Sequence, residues 1–143
     1  MQVSEIMQTD LVTCPPTATV AEAARTMRDR NVGAVLVMEG ARLAGIFTER
    51  DLVHLLADGG EVAARPVSAV MTRDVAMVPA DADISWAADQ MKQRRVRHLP
   101  IGDAQMVVGM ISVRDLFVLA EAVLRLDPDG AGRAQEMLQA ASG

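Results

Sequence analysis

Apolar residues at Val20, Ala23, Ala24 and Met27 fall at i, i+3, i+4 and i+7, the spacing of one helix face. The same stripe returns at Ile84, Ala87, Ala88 and Met91. Thr19-Val20-Ala21-Glu22 has capping-box spacing and opens the first of these helices, which ends near Asn31-Val32-Gly33. A continuous apolar run follows, Ala34 to Met38, as expected of a strand covered on both faces; His98 to Ile101 holds the matching place later. Second strands are predicted over Arg42 to Phe47 and Met106 to Ile111. Helices then start at Thr48 and Ser112 and run to about Ala57 and Leu126. A short apolar stretch precedes each stripe: Leu11-Val12-Thr13, stopped by Pro15 and Pro16, and Val75-Ala76-Met77-Val78. The predicted order is strand, helix, strand, strand, helix, twice over, an α/β (α+β) fold.

The two units are copies. Residues 3–53 align with 67–117 without a gap, at 15 identities in 51 pairs and a fixed offset of 64. A period of this kind signals one supersecondary unit used twice. Each unit alone buries little surface, so the halves are expected to share a core. The reading gives repeat 1 at 3–57, a linker at 58–66 with Gly59, Gly60 and Pro66, repeat 2 at 67–126, and a tail at 127–143. The tail is expected to add a helical turn or two, or to fray.

Half of the 143 residues are hydrophobic, which supports a real core. Aromatics are limited to Phe47, Phe117 and Trp86, and ten Met fill irregular space instead. The net charge of −5 argues against a nucleic-acid footprint. Cys14 is the single cysteine, which excludes an internal disulfide and a cysteine-cluster zinc site, and no metal site is expected. No base pairs with it in sequence, so a buried inert thiol is the favoured reading. The N-terminus lacks a basic region followed by an apolar stretch, and no apolar run nears the roughly 18 residues of a membrane span. The expectation is a cytoplasmic protein without membrane contact.

Chemistry concentrates in Thr48-Glu49-Arg50-Asp51 and Ser112-Val113-Arg114-Asp115, each at a strand end feeding a helix. A hydroxyl with a carboxylate three residues on is an ordinary helix cap. The same place also suits an anion, because free N–H groups and the helix dipole point outward there. The Arg kept in both copies would add a phosphate contact, and the carboxylate could accept two hydrogen bonds from a ribose diol. Both readings stay open on the residues alone.

The pairing of V-S-x-[IV]-M near each start with G-x-[FI]-[TS]-x-R-D near each end resembles a cystathionine β-synthase (CBS) domain pair, or Bateman module, over roughly residues 3–125. The resemblance implies two β-α-β-β-α units about a pseudo-two-fold axis, with two clefts that take AMP, ADP, ATP, S-adenosylmethionine or NAD-type dinucleotides. It puts Asp51 and Asp115 on ribose, and Thr48, Arg50, Ser112 and Arg114 near phosphate. The adenine would be flanked by Val12, Thr13, Ala76 and Met77, and by Val35, Val37, Leu99 and Pro100. No cofactor is required beyond such a ligand.

The copies also differ. Asn31-Val32-Gly33-Ala34 becomes Arg95-Val96-Arg97-His98, which with Arg94 is the densest positive patch in the chain. By analogy with the family, Arg97 and His98 approach the pseudo-two-fold axis and contact phosphate, so the two sites should differ in affinity. Trp86 stands where repeat 1 has Glu22, off the apolar stripe. It is either folded over its own repeat or an anchor for the homodimer that such pairs form. Function reads as a regulatory module for an adenosyl ligand that signals to a separate effector protein. A scaffold with unoccupied clefts is the alternative. A nucleotide-hydrolysing enzyme is the weaker one, since no Walker-type loop, H-E-x-x-H or G-x-S-x-G occurs and no catalytic residue is assigned.

Overall fold

The computed structural model describes residues 1–127 and 129–141. Repeat 1 forms β1 (Thr13–Cys14), α1 (Val20–Arg30), β2 (Ala34–Glu39), β3 (Arg42–Thr48) and α2 (Glu49–Asp58). β1 runs parallel to β2, and β3 pairs antiparallel with β2 in the register Val35↔Phe47 and Leu36↔Ile46. Repeat 2 forms α3 (Ile84–Arg94), β4 (His98–Asp103), β5 (Met106–Ser112) and α4 (Val113–Leu126). Its antiparallel register, Leu99↔Ile111 and Pro100↔Met110, repeats that of β2 and β3 at the 64-residue offset.

The first helix begins where the sequence places its cap, at Thr19. Thr19 and Glu22 close a capping box on α1, and Asp83 caps α3 through the Ser85 amide at 2.8 Å. The stripe residues Val20, Ala23, Met27, Ala87 and Met91 are buried. Both helices end on a left-handed residue, Asn31 at φ 53° and Arg95 at φ 54°. Asn tolerates that conformation better than Arg does. Arg50 supplies a brace, its guanidinium donating to the Arg95 carbonyl. The side chain of Arg114, the Arg of the second tetrapeptide, makes no hydrogen bond or ion pair among the described residues. A helix cap alone gave no reason for the kept Arg; in repeat 1 the brace is one.

The segment that leads each repeat packs on the other repeat. Gln2 bridges Asp83 and Gln8 bridges Met110, whereas Pro66 bridges Thr19 and Thr72 bridges Ile46. These pairs exchange under the 64-residue offset, the signature of a pseudo-two-fold relation. Val3 is wholly buried in the core of repeat 2, among Val78, Leu99 and Ile111. Val67 is wholly buried in the core of repeat 1, among Val20, Val35 and Phe47. Burying a Val contributes roughly 1.5–3 kcal/mol, so each half holds a plug from its partner. A third cluster, with Leu36, Leu43 and Ile46 packed against Met77, Val107 and Met110, joins the two sheets.

Two elements depart from the sequence expectation. The predicted strand over Val75–Val78 shrinks to one bridge, Val78↔Ile101. In repeat 1 the Leu36 amide donates to the Val12 carbonyl at 2.9 Å. The equivalent of Leu36 is Pro100, which has no N–H to give, so the strand loses that rung. The tail, expected to add a helical turn or two or to fray, forms α5 (Gly130–Ala141), which packs on α4. No helix among the described residues is long and apolar enough to cross a membrane.

Candidate functional site

Thr48 caps α2 and Ser112 caps α4, and in both the aspartate three residues on completes the box. Asp51 Oδ2 accepts from the Thr48 amide at 2.9 Å and the Thr48 hydroxyl at 3.1 Å. Asp115 Oδ2 accepts from the Ser112 amide at 2.8 Å and the Ser112 hydroxyl at 3.1 Å. The other oxygen of each reaches across the repeats. Asp51 Oδ1 accepts from the Thr72 hydroxyl at 3.2 Å, and Asp115 Oδ1 from Gln8 Nε2 at 3.2 Å. Gln8 and Thr72 are equivalent positions on the exchanged leading segments. With about four lone-pair positions on a carboxylate, each aspartate keeps one free on Oδ1. A diol could take that position and displace the exposed Thr72 or Gln8 donor.

A cleft of about 700 Å3 opens beside Asp51. The structure brings Thr48, Arg50, Asp51, Ala76, Arg97 and His98 together on its walls. It adds Thr72, Glu49, Asp74 and Arg94 there, on the opposite repeat or the adjoining helix ends. Asp51 and Thr48 are half-buried, while Arg50, Arg94 and Arg97 are exposed. A second hollow of about 450 Å3 holds Arg114 and Asp115 with Gln8, against Ile6, Val118 and Leu119. Ser112 stands behind Asp115 as its cap. Val35, Val37, Leu99 and Pro100 are sealed in the cores and present no surface to either opening. Val12 packs at the edge of the repeat 1 core, Thr13 is exposed on β1, and Met77 lies between the sheets.

His98 starts β4 opposite Ser112 and packs against Gly33, where a Cβ would lie 3.3 Å from the imidazole Cε1. Burial pushes its pKa below the usual value and Arg97 pushes the same way, against the opposing pull of Glu49 and Asp115. The imidazole therefore lies within electrostatic reach of both tetrapeptides. Cys14 is buried in the repeat 1 core; burial, then the charge of Glu22, pushes its thiol pKa up. A protonated, enclosed thiol is a poor nucleophile. Among the described residues no group of three or more His, Cys, Asp or Glu is placed to hold a metal ion.

Two exchanged repeats, each closing a T/S-x-R-D cap beside a cleft, have known counterparts. The sequence profile of the CBS domain matches residues 3–58 and again residues 67–121. The chain belongs to the CBS domain family. It is similar to the CBS domain-containing protein YhcV of Bacillus subtilis, at 33% identity over 132 residues, 92% of this chain and 91% of that protein. The crystal structure of the CBS-domain protein ATU1752 from Agrobacterium tumefaciens superposes with a TM-score of 0.79 at 30% identity, covering 84% of this chain and 99% of that one. The CBS domain pair of protein MJ0100, solved in complex with 5′-methylthioadenosine and S-adenosylmethionine, shares the fold at a TM-score of 0.78 and 22% identity, over 85% of this chain and 97% of that one.

CBS domain pairs are regulatory ligand-binding modules. Within this CBS pair, Thr72 and Gln8 were missed by reasoning from the sequence. Their signal was present: both directly follow the Met of the V-S-x-[IV]-M motif, at one offset. What was missing was the exchange that carries them to the other repeat.

Proposed function

We propose that this CBS domain pair is a regulatory module that binds an adenosine-containing ligand, of the AMP, ADP, ATP or S-adenosylmethionine kind, in the cleft beside Asp51. One observation carries the reading. Asp51 is anchored through Oδ2 by Thr48, accepts through Oδ1 from Thr72 at the cleft wall, and lines the same cleft as Arg97 and His98. A ribose diol would meet Asp51, the base would lie along Ala76, and phosphate would point to Arg97 and His98. The ligands seen in MJ0100 support the adenosyl class.

Binding across two halves that hold each other's leading segments would favour one arrangement of the pair. That shift is the signal, and it is limited by the ligand's differential affinity for the two arrangements. The output passes to a separate effector protein in the cytoplasm. No step of bond making is assigned to the chain. The module works as a homodimer, for which exposed Trp86 on α3 and exposed Phe117 and Val118 on α4 offer apolar surface.

The test is a thermal-shift series with AMP, ADP, ATP and S-adenosylmethionine on the native chain and on Asp51→Asn. A ligand that binds the folded state raises the melting temperature with the logarithm of its concentration over Kd. At least one compound should raise it by several degrees, and Asp51→Asn should remove most of the rise while keeping the cap. Unchanged melting for all four at millimolar concentration favours the scaffold. ATP turnover with Mg²⁺ that Asp51→Ala abolishes favours the enzyme.

A further inference from the structure

The exchange of leading segments is closed in each repeat by the same device, a methionine laid on a glycine. A Cβ built on Gly109 of β5 would fall inside the Met7 thioether, with Met7 Cγ 2.8 Å away. One built on Gly45 of β3 would lie 2.6 Å from Met71 Sδ and 2.9 Å from Met71 Cγ. Each glycine leaves a notch on its strand, and the sulfur of the exchanged segment fills it. Both the methionines and the glycines are related by the 64-residue offset. Their exposure is not equivalent. Met71 is buried in the repeat 1 core, whereas Met7 is half-buried at the edge of the repeat 2 core. Met7 also stands between the two holds of its segment. Before it, Val3 fills the repeat 2 core and its amide donates to the Ala82 carbonyl at 2.9 Å. After it, Gln8 and Met110 exchange backbone hydrogen bonds of 2.8 and 2.9 Å, and the Gln8 side chain donates to Asp115.

We propose that Met7 is a reversible oxidation site that governs how the leading segment is seated on repeat 2. The step needs a peroxide. A lone pair on Sδ attacks one peroxide oxygen, the O–O bond breaks as the S–O bond forms, sulfur loses two electrons, and hydrogen peroxide is reduced to water. The product is a sulfoxide, larger than the thioether and polar. Met7 packs against a cluster of apolar side chains, and the notch on Gly109 is already filled by the thioether. A polar oxygen turned into those surroundings loses its hydration without replacement. The sulfoxide therefore leaves the notch for water, and the segment loses the contact that seats it. The Gln8–Met110 bridge and the Gln8 contact to Asp115 loosen with it. A dithiol-dependent reductase reverses the mark: two thiols become a disulfide, and the oxygen departs as water. Met71 fills the same notch but is sealed in its core, so the mark falls on one repeat and makes the pair asymmetric. Exposed Met1, Met106 and Met137 fill neither notch, and their oxidation leaves the exchange in place. The adenosyl reading is not needed for any of this.

The test treats the full chain with hydrogen peroxide. Peptide mass spectrometry reads the sulfoxide at each Met, amide hydrogen exchange reads Val3 and Gln8, and a thermal melt reads stability. The same series is run on Met7→Leu, an apolar filler of similar size, and on Met7→Gln, which sets a polar group there without oxidant. Oxidation at Met7 should speed exchange at Val3 and Gln8 by at least about tenfold and lower the melting temperature by about 3–10 °C. Met7→Leu should show neither change under the same peroxide. Met7→Gln should behave as the oxidised chain does before any peroxide is added. A methionine sulfoxide reductase with a dithiol should restore the native values. A Met7 that stays a thioether while Met1, Met106 and Met137 convert fully overturns the proposal, as does a Met7 sulfoxide with native exchange at Val3 and Gln8. Equal loss of protection in Met7→Leu also overturns it, because the effect then belongs to another Met. The comparison of the native chain with Met7→Leu decides even where Met7→Gln fails to fold.

Discussion

A methyl group placed on Gly45 sets local backbone preference against the exchange of leading segments. In a strand, Gly→Ala alone stabilises by about 0.5–1 kcal/mol, because it narrows the unfolded ensemble. Here the new Cβ would lie 2.6 Å from Met71 Sδ and 2.8 Å from the Thr72 carbonyl oxygen. The Met side chain can swing aside. The carbonyl is fixed, since Thr72 and Ile46 exchange two backbone hydrogen bonds of 2.9 Å each. It must retreat by about 0.6 Å to reach ordinary contact, straining both bonds. Overpacking of this kind costs about 1–3 kcal/mol. Net of the backbone gain, Gly45→Ala should destabilise by about 0–2.5 kcal/mol, centred near 1 kcal/mol, where the fall in melting temperature is roughly 3–5 °C for a chain of this size. Gly109→Ala should cost less, because its backbone neighbour, the Gln8 carbonyl, is 3.1 Å away and its closer neighbour is the movable Met7 side chain. Urea denaturation and thermal melts of both variants measure the ranking. A Gly45→Ala chain that melts at or above the native one would refute the reasoning, since the backbone term alone has that sign.

His98 and Cys14 give two further tests. The folded pKa of His98 lies below that of the unfolded chain, chiefly through burial, so the unfolded state binds more protons in the window between them. The stability this contributes is fully present above the unfolded value near pH 6.5 and is lost as pH falls through the folded value. His98→Ala should therefore flatten the acid-side slope of melting temperature below about pH 6.5; an identical slope would remove His98 as its source. Cys14 should react with an aromatic disulfide reagent at least about a hundredfold more slowly in the native chain than in urea, because attack awaits an opening of the core. Native labelling at the denatured rate would show that the thiol is not enclosed.

The sequence by itself determined the elements and their duplication. The stripes at Val20–Met27 and Ile84–Met91, the caps at Thr48 and Ser112, and the 64-residue offset are local or repeated signals, and they persist in the fold. It also named the paired aspartates, because a carboxylate at a helix start has a fixed geometry relative to its own cap. The tertiary structure alone decided which repeat each leading segment serves. Val3 and Val67 read as the first residues of their own units, yet each fills the other unit's core. That exchange carries Gln8 to Asp115 and Thr72 to Asp51, contacts between residues 107 and 21 positions apart. It was likewise the fold that sealed Val35, Val37, Leu99 and Pro100 away from the clefts, turned the missing amide of Pro100 into a lost strand, and gave Arg50 a carbonyl to brace. The physical reason is common to all of these. Hydrophobic period and capping chemistry report the few residues around a position, whereas partners across a pseudo-two-fold axis are chosen by how two finished units bury their remaining apolar surface against each other.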